Sequence, residues 1–152
     1  MSKKKILIIE DEKTICRELT ELLTNEGYEA EYLEQFDNAK NDILEKNSDL
    51  LLLDINIPGI NGEMLLREIR KTSDVPIIMV TSRTGETDEV LSMSYGADDY
   101  ITKPYNPTIL LLRIAAILKR ADSGKNIANY KDAQVNFSKG TISRNGQELV
   151  LT

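Results

Sequence analysis

Apolar and polar positions along this chain follow two rhythms. Short apolar runs stand at 6–9 (ILII), 50–53 (LLLL) and 75–80 (VPIIMV), while apolar residues between them return every three or four positions. The first rhythm predicts buried strands and the second amphipathic helices. A strand over 6–9 is followed by a helix over 13–26, where Ile15, Cys16, Leu19, Leu22 and Leu23 share one face and Gly27 is the C-cap. A weaker strand over 28–33 precedes a polar helix over 37–46. The strand at 50–53 precedes a helix over 61–71, and the strand at 75–80 a helix over about 84–95. The last pair is a short strand at 99–102 and a long helix over 107–120, opened by Pro107 near its first turn.

Five strand–helix units in succession imply a parallel sheet covered on both faces. Right-handed crossovers favour a doubly wound (βα)5 arrangement, whose ligands sit at the carboxyl ends of the strands. The rhythm changes after residue 121. Residues 122–129, opening with the polar run DSGKN, read as a linker. Short strands are predicted beyond it at 133–137, 141–144 and 147–151, the last two joined by an Asn145-Gly146 hairpin turn. So short a β meander buries no core of its own, and residues 130–152 read as the opening fragment of a second domain.

Composition narrows the chemistry. The 152 residues contain no histidine, which removes the usual general base and any phosphohistidine within the chain. The single cysteine, Cys16, allows no internal disulfide, fits a reducing cytoplasm and reads as a buried thiol. No apolar run approaches the length of a membrane span or of a secretory signal. The net charge is −6. Residues 122–152 carry Lys125, Lys131, Lys139 and Arg144 against Asp122, Asp132 and Glu148, so the excess acid lies in the first 121 residues. Such a module does not favour nonspecific binding to DNA or to anionic membranes.

The acid gathers where the ligand site is expected. Glu10 and Asp11 follow the first strand, Asp54 the third, Thr81 and Ser82 the fourth, and Lys103 the fifth. On one rim these would set three carboxylates against two hydroxyls and one ammonium. Close carboxylates repel and raise one another's pKa unless a cation offsets them. Mg²⁺, with its few carboxylate ligands and its retained waters, suits such a set and accepts phosphate oxygens. Asp54 is then a nucleophile for phosphoryl transfer, with Lys103 and Thr81 contacting the phosphoryl group. Singly, these residues are equally a helix-dipole cluster at 10–12, a turn former at Asp54, an N-cap at Thr81-Ser82 and a solvated lysine.

Other phosphate chemistries fit less well. There is no P-loop, and the acidic Glu10-Asp11-Glu12 loop would repel a flavin phosphate. A phosphatase of the haloacid-dehalogenase kind also places an aspartate after an apolar strand, but resembles Asp-x-Asp there, whereas this chain has Asp54-Ile55-Asn56. A binding module of the same fold that is never phosphorylated is the remaining alternative.

The stretches KKKILIIEDE, LLLLDINIPGINGEMLLREIR, VPIIMVTSR and GADDYITKPYNP together resemble the receiver domain of bacterial two-component response regulators, over about residues 1–121. That resemblance implies a flavodoxin-like fold and phosphorylation of Asp54 by a sensor histidine kinase, with no turnover beyond slow self-phosphorylation and dephosphorylation. It implies Mg²⁺ at Asp11, Asp54 and the backbone carbonyl of Asn56, assisted by Glu10 through water. Thr81 would be the switch hydroxyl, Tyr100 the switch aromatic that rotates into space vacated by Thr81, and Lys103 the phosphoryl-contacting lysine, in a cis Lys103-Pro104 bond.

GADDYITKP with the later strands resembles the OmpR/PhoB subfamily, in which a winged helix binds promoter DNA. Residues 130–152 would be the truncated start of that domain, and DNA binding would belong only to the full-length protein. The subfamily also implies a homodimer through the fourth helix, fifth strand and fifth helix. Here the fifth helix carries a stripe of Ile109, Arg113, Ala116 and Arg120, whose arginines are expected to meet acids at Asp98, Asp99 and Glu89 of a second copy. Ile109 and Glu89 depart from the subfamily pattern at this face.

Overall fold

The computed structural model describes residues 3–82, 86–131, 140–142 and 148–150, with side chains described at 3–82 and 89–123. The chain divides into two compact units, Met1–Leu118 and Lys119–Thr152.

The first unit is built on a five-stranded parallel sheet. Its strands are β1 (Lys5–Ile9), β2 (Glu29–Tyr32), β3 (Leu50–Leu53), β6 (Ile77–Thr81) and β7 (Asp99–Thr102), in the spatial order β2-β1-β3-β6-β7. Strands β4 (Asn56–Ile57) and β5 (Ile60–Asn61) form a separate two-residue antiparallel ladder. The helices are α1 (Lys13–Asn25), α2 (Ala39–Lys46), α3 (Gly62–Arg70), α4 (Glu86–Ser94) and α5 (Pro107–Lys131).

β3 shows why four leucines follow one another. All four are buried, and they alternate between two cores. Leu51 and Leu53 pack with Leu7, Ile9, Ile69 and Met79 on one face of the sheet. Leu50 and Leu52 pack with Ile6, Ile8, Ile78, Leu110, Ile114 and Ile117 on the other. A strand covered on both faces has no solvent side, so its sequence shows no alternation. At the sheet edge, β2 alternates exposed glutamates with half-buried Ala30 and Tyr32.

α1 and α4 end in the same device. Gly27 N–H donates to the Thr24 carbonyl and Tyr28 N–H to the Leu23 carbonyl; Gly96 N–H donates to Met93 and Ala97 N–H to Ser92. These are Schellman caps, and both glycines have the positive φ that the motif requires, 96° and 111°. α3 opens on Asn61, whose Oδ1 accepts from Glu63 N (2.8 Å) and Met64 N (3.1 Å).

Two expectations need correction or extension. α5 continues to Lys131, so residues 122–129, expected as a linker, are helical. Packing of Leu110, Ile114, Ile117 and Leu118 nucleates this helix. Propagation through polar residues is then inexpensive even across Gly124, at about 1 kcal/mol relative to Ala. Beyond it, β8 (Gly140–Ile142) and β9 (Glu148–Val150) pair antiparallel, matching the expected hairpin. The strand expected at 133–137 and the Asn145-Gly146 turn lie outside the described residues. No helix among the described residues is long and apolar enough to cross a membrane.

Candidate functional site

Strand register brings the acidic residues together. Ile9 lies opposite Leu53 in the β1–β3 pair, so Glu10 and Asp54 leave the sheet side by side. Leu53 lies opposite Met79, and Thr81 opposite Thr102, so the ends of β6 and β7 reach the same rim. Glu10 and Asp54 are buried, Thr81 is fully buried, and Asp11 stands at the solvent side. One carboxylate oxygen from each of Glu10, Asp11 and Asp54 lies within 4.8 Å of the others.

Lys103 reaches into this cluster. Its Nζ donates to Glu10 Oε1 at 2.5 Å and to Asp54 Oδ2 at 3.1 Å, with Glu12 Oε1 at 4.0 Å. Lys103 N–H also donates to the Thr81 carbonyl at 2.8 Å, joining the ends of β6 and β7. The other oxygen of Asp54, Oδ1, accepts from Asn56 N–H at 3.0 Å. Glu10 Oε2 accepts from Glu12 N–H at 3.1 Å. The expected cis peptide stands at Lys103-Pro104.

The electrostatics are unbalanced toward negative charge. Burial pushes the Glu10 pKa up, and the hydrogen bond from Lys103 opposes it only in part. For Lys103, burial acts downward, but its hydrogen bonds to Glu10 and Asp54 outweigh that and hold it above the ordinary lysine range. One ammonium against three carboxylates leaves net negative charge in a partly dry pocket. An all-oxygen donor set of this kind fits a hard divalent cation of the Mg²⁺ type.

An open groove of about 470 Å³ runs from Asp11 past Asn56, Pro58, Gly59 and Asn61, giving the cluster access from outside. The β4–β5 ladder shapes this groove, and its Pro58-Gly59 turn uses a positive φ at Gly59, 76°. The sequence did not mark the ladder. It also gave no sign that Gly62 touches the site. A Cβ at Gly62 would fall inside contact distance of the Asp54 carbonyl oxygen and of Ile55 Cα. Gly62 N–H donates to the Ile55 carbonyl at 2.9 Å. The only sequence signal was a glycine at the first position of a helix. Ser82, the second hydroxyl after β6, is exposed.

Cys16 is fully buried, donates to the Glu10 carbonyl at 3.1 Å, and has its pKa pushed up by burial. It is a packing residue behind the acidic loop. Tyr100 is only 7% exposed and packs with the core that holds Leu53 and Met79.

On the fifth-helix face, Ile109, Arg113, Ala116 and Arg120 are exposed, as are Glu89, Val90, Met93 and Leu112. Arg113 NH1 pairs with Asp99 Oδ1 of its own chain at 2.9 Å. Asp98 accepts from Arg70 NH2 at 3.1 Å and from Ile77 N–H at 2.8 Å, again within the chain. Two of the three acids expected to meet a second copy, Asp98 and Asp99, are thus engaged within this one.

The family described as "Response regulator receiver domain" matches residues 6–115. The chain is 37% identical over 148 residues to a Bacillus subtilis protein named as the uncharacterized transcriptional regulatory protein YclJ, covering 97% of this chain and 64% of that one. It is 34% identical over 151 residues to the DNA-binding response regulator MtrA of Mycolicibacterium paratuberculosis, covering 99% and 67%. The chain thus spans about two thirds of the length of these relatives. Among solved structures, the BeF3-activated N-terminal receiver domain of Klebsiella pneumoniae RstA superimposes with a TM-score of 0.72 at 32% identity, covering 76% of this chain and 98% of that domain.

Proposed function

This chain belongs to the response regulator receiver family, of the OmpR/PhoB type, and we propose that it is a phosphoacceptor switch in a two-component system. The observation that carries this reading is the convergence of Glu10, Asp11 and Asp54 around Lys103. The phosphodonor is a sensor histidine kinase in the cytoplasm, and the acceptor is Asp54. A carboxylate oxygen of Asp54 attacks the phosphorus in line. The new P–O bond forms as the P–N bond to the donor's imidazole breaks, and the leaving nitrogen keeps the electron pair.

The Asn56 N–H holds Asp54 Oδ1 and thereby fixes the plane of the nucleophile. Lys103 transfers its hydrogen bond from the carboxylate to a phosphoryl oxygen. Glu10, Asp11, Asp54 and the carbonyl of Asn56 would hold Mg²⁺, which neutralises phosphoryl charge when bound. Two residues after Asp54, where a phosphatase of the Asp-x-Asp kind carries the acid that protonates a leaving alcohol, this chain carries the amide Asn56. The chain is then a slow self-phosphorylating and self-dephosphorylating switch, not a turnover phosphatase.

Thr81 contacts the phosphoryl group, and its position sets that of Tyr100. Since Tyr100 already packs inward, phosphorylation selects this packing from an existing equilibrium. The result is a homodimer through α4, β7 and α5. The exposed Ile109, Leu112, Val90 and Met93 supply apolar area there, and Asp98, Asp99, Arg113, Ala116 and Arg120 frame it. In the full-length protein this dimer controls a winged-helix domain on promoter DNA, of which residues 130–152 would be the opening fragment. Incubation with a small acyl phosphate and Mg²⁺, followed by intact-mass measurement on this chain and on Asp54→Asn, tests the reading.

A further inference from the structure

α3 carries three charged residues at one-face spacing, Glu63, Arg67 and Arg70, and all three engage the end of α4 or the turn after it. The Ser92 hydroxyl donates to Glu63 Oε2 at 3.5 Å, a long bond between two buried groups. The Arg67 guanidinium lies 4.8 Å from the centroid of the Tyr95 ring. Arg70 donates from Nε to the Gly96 carbonyl at 2.9 Å, from NH1 to the Ser73 carbonyl at 3.2 Å and from NH2 to Asp98 at 3.1 Å.

Of the contacted residues, Ser92, Tyr95 and Gly96 belong to the Schellman cap that ends α4, and Asp98 lies just beyond it. Ser92 also accepts from Ala97 N–H through its carbonyl, so it is held from two sides. Gly96 has no Cβ, and one placed there would press on the Arg70 side chain at 2.9–3.1 Å. At its other end, α3 is fixed to the acceptor loop. Gly62 abuts the Asp54 carbonyl, and Asn61 caps the Glu63 and Met64 amides. The cap of α4 is therefore tied, through one short helix, to the backbone that carries Asp54.

We propose that Glu63, Arg67 and Arg70 form a clamp that fixes the C-terminal end of α4, so that a shift begun at Asp54 and Thr81 moves α4 as a lever about that end. This rests on the phosphoacceptor reading and specifies how its signal leaves the site. A helix free at both ends would dissipate the shift as sliding. One pinned at its cap directs displacement to the end nearest the β6–α4 connection, beside Thr81. The three residues are positioning residues and touch no reacting atom.

Hydrogen exchange on the full chain, with and without the acyl-phosphate donor and Mg²⁺, tests the clamp. In the parent, phosphorylation changes exchange over residues 86–91 by about tenfold or more and leaves 92–97 within about twofold. Arg70→Met removes the strongest contact but takes one donor from each of three acceptors and so risks unfolding. Glu63→Leu combined with Arg67→Gln keeps Arg70 and the buried volume. Both variants are expected to take one phosphate, measured as intact mass, while the phosphate-dependent change spreads to 92–97. If exchange over 92–97 changes in the parent as much as over 86–91, or if the double variant keeps the parent's pattern, the clamp is wrong. A parent chain that takes no phosphate overturns the phosphoacceptor reading itself, and the clamp's role with it.

Discussion

Lys103 Nζ lies 3.1 Å from Asp54 Oδ2, although β6 separates the strand that precedes the lysine from the strand that ends at the aspartate. The lysine spans that gap to place its charge between Glu10 and Asp54. Removing it strands a buried carboxylate that burial already disfavours in its charged form. We expect Lys103→Met to lose about 1–3 kcal/mol without metal, the usual consequence of leaving a buried polar group unpaired. Mg²⁺ should narrow that gap. At about a hundred times its Kd, a cation bound only by the folded state adds about 2.7 kcal/mol. Glu10→Gln should match or exceed the parent's stability without metal and lose most of the Mg²⁺ response. Urea denaturation of the three chains with and without MgCl₂ checks this, and a Glu10→Gln chain as responsive to Mg²⁺ as the parent would remove Glu10 from the metal set.

Gly62 makes a separate prediction, because the constraint on it is space rather than φ. Gly62→Ala drives a Cβ into the Asp54 carbonyl and the Ile55 backbone. Overpacking of this kind costs about 1–3 kcal/mol, and here it also displaces the nucleophile. Both thermal stability and the rate of phosphate uptake should fall. At Gly27, by contrast, nothing lies within reach of an added Cβ and the φ is 96°. Gly27→Ala should lose about 1–2 kcal/mol to backbone strain with phosphate uptake unchanged. Equal effects of the two substitutions on uptake would show that Gly62 does not position Asp54.

Thr81 is the proposed link between the phosphate and the dimer face. Thr81→Ala should still accept phosphate on Asp54, yet dimerise at least about tenfold more weakly than the phosphorylated parent, a difference of about 1.4 kcal/mol in coupling. Sedimentation analysis over a concentration series measures it. A phosphorylated Thr81→Ala chain that dimerised as fully as the parent would exclude this route.

The rim residues were legible because each follows a predicted strand, and a parallel sheet aligns the ends of such strands by topology alone. Asp54 after LLLL and Lys103 after DYIT needed no tertiary knowledge beyond strand order. Gly62 was not legible, since what demands glycine is a close approach by a distant backbone. Nor was Glu63, which reads as an ordinary first-turn acid until Ser92 is seen opposite it. Nor was the pairing of Arg113 with Asp99 of its own chain, a matter of side-chain geometry that charge patterning does not carry. The continuation of α5 through 122–129 escaped for a further reason: Ser-Gly is a local breaker signal, and a helix already nucleated by core packing overrides it.

Asp54 as a lasting phosphoacceptor is the central claim. Incubation with a small acyl-phosphate donor and Mg²⁺, followed by intact-mass measurement, addresses it most directly. One phosphate adduct that persists on the parent chain and is absent from Asp54→Asn is the predicted result. An adduct of equal yield on Asp54→Asn, no adduct on either chain, or rapid multiple turnover of the donor would contradict it.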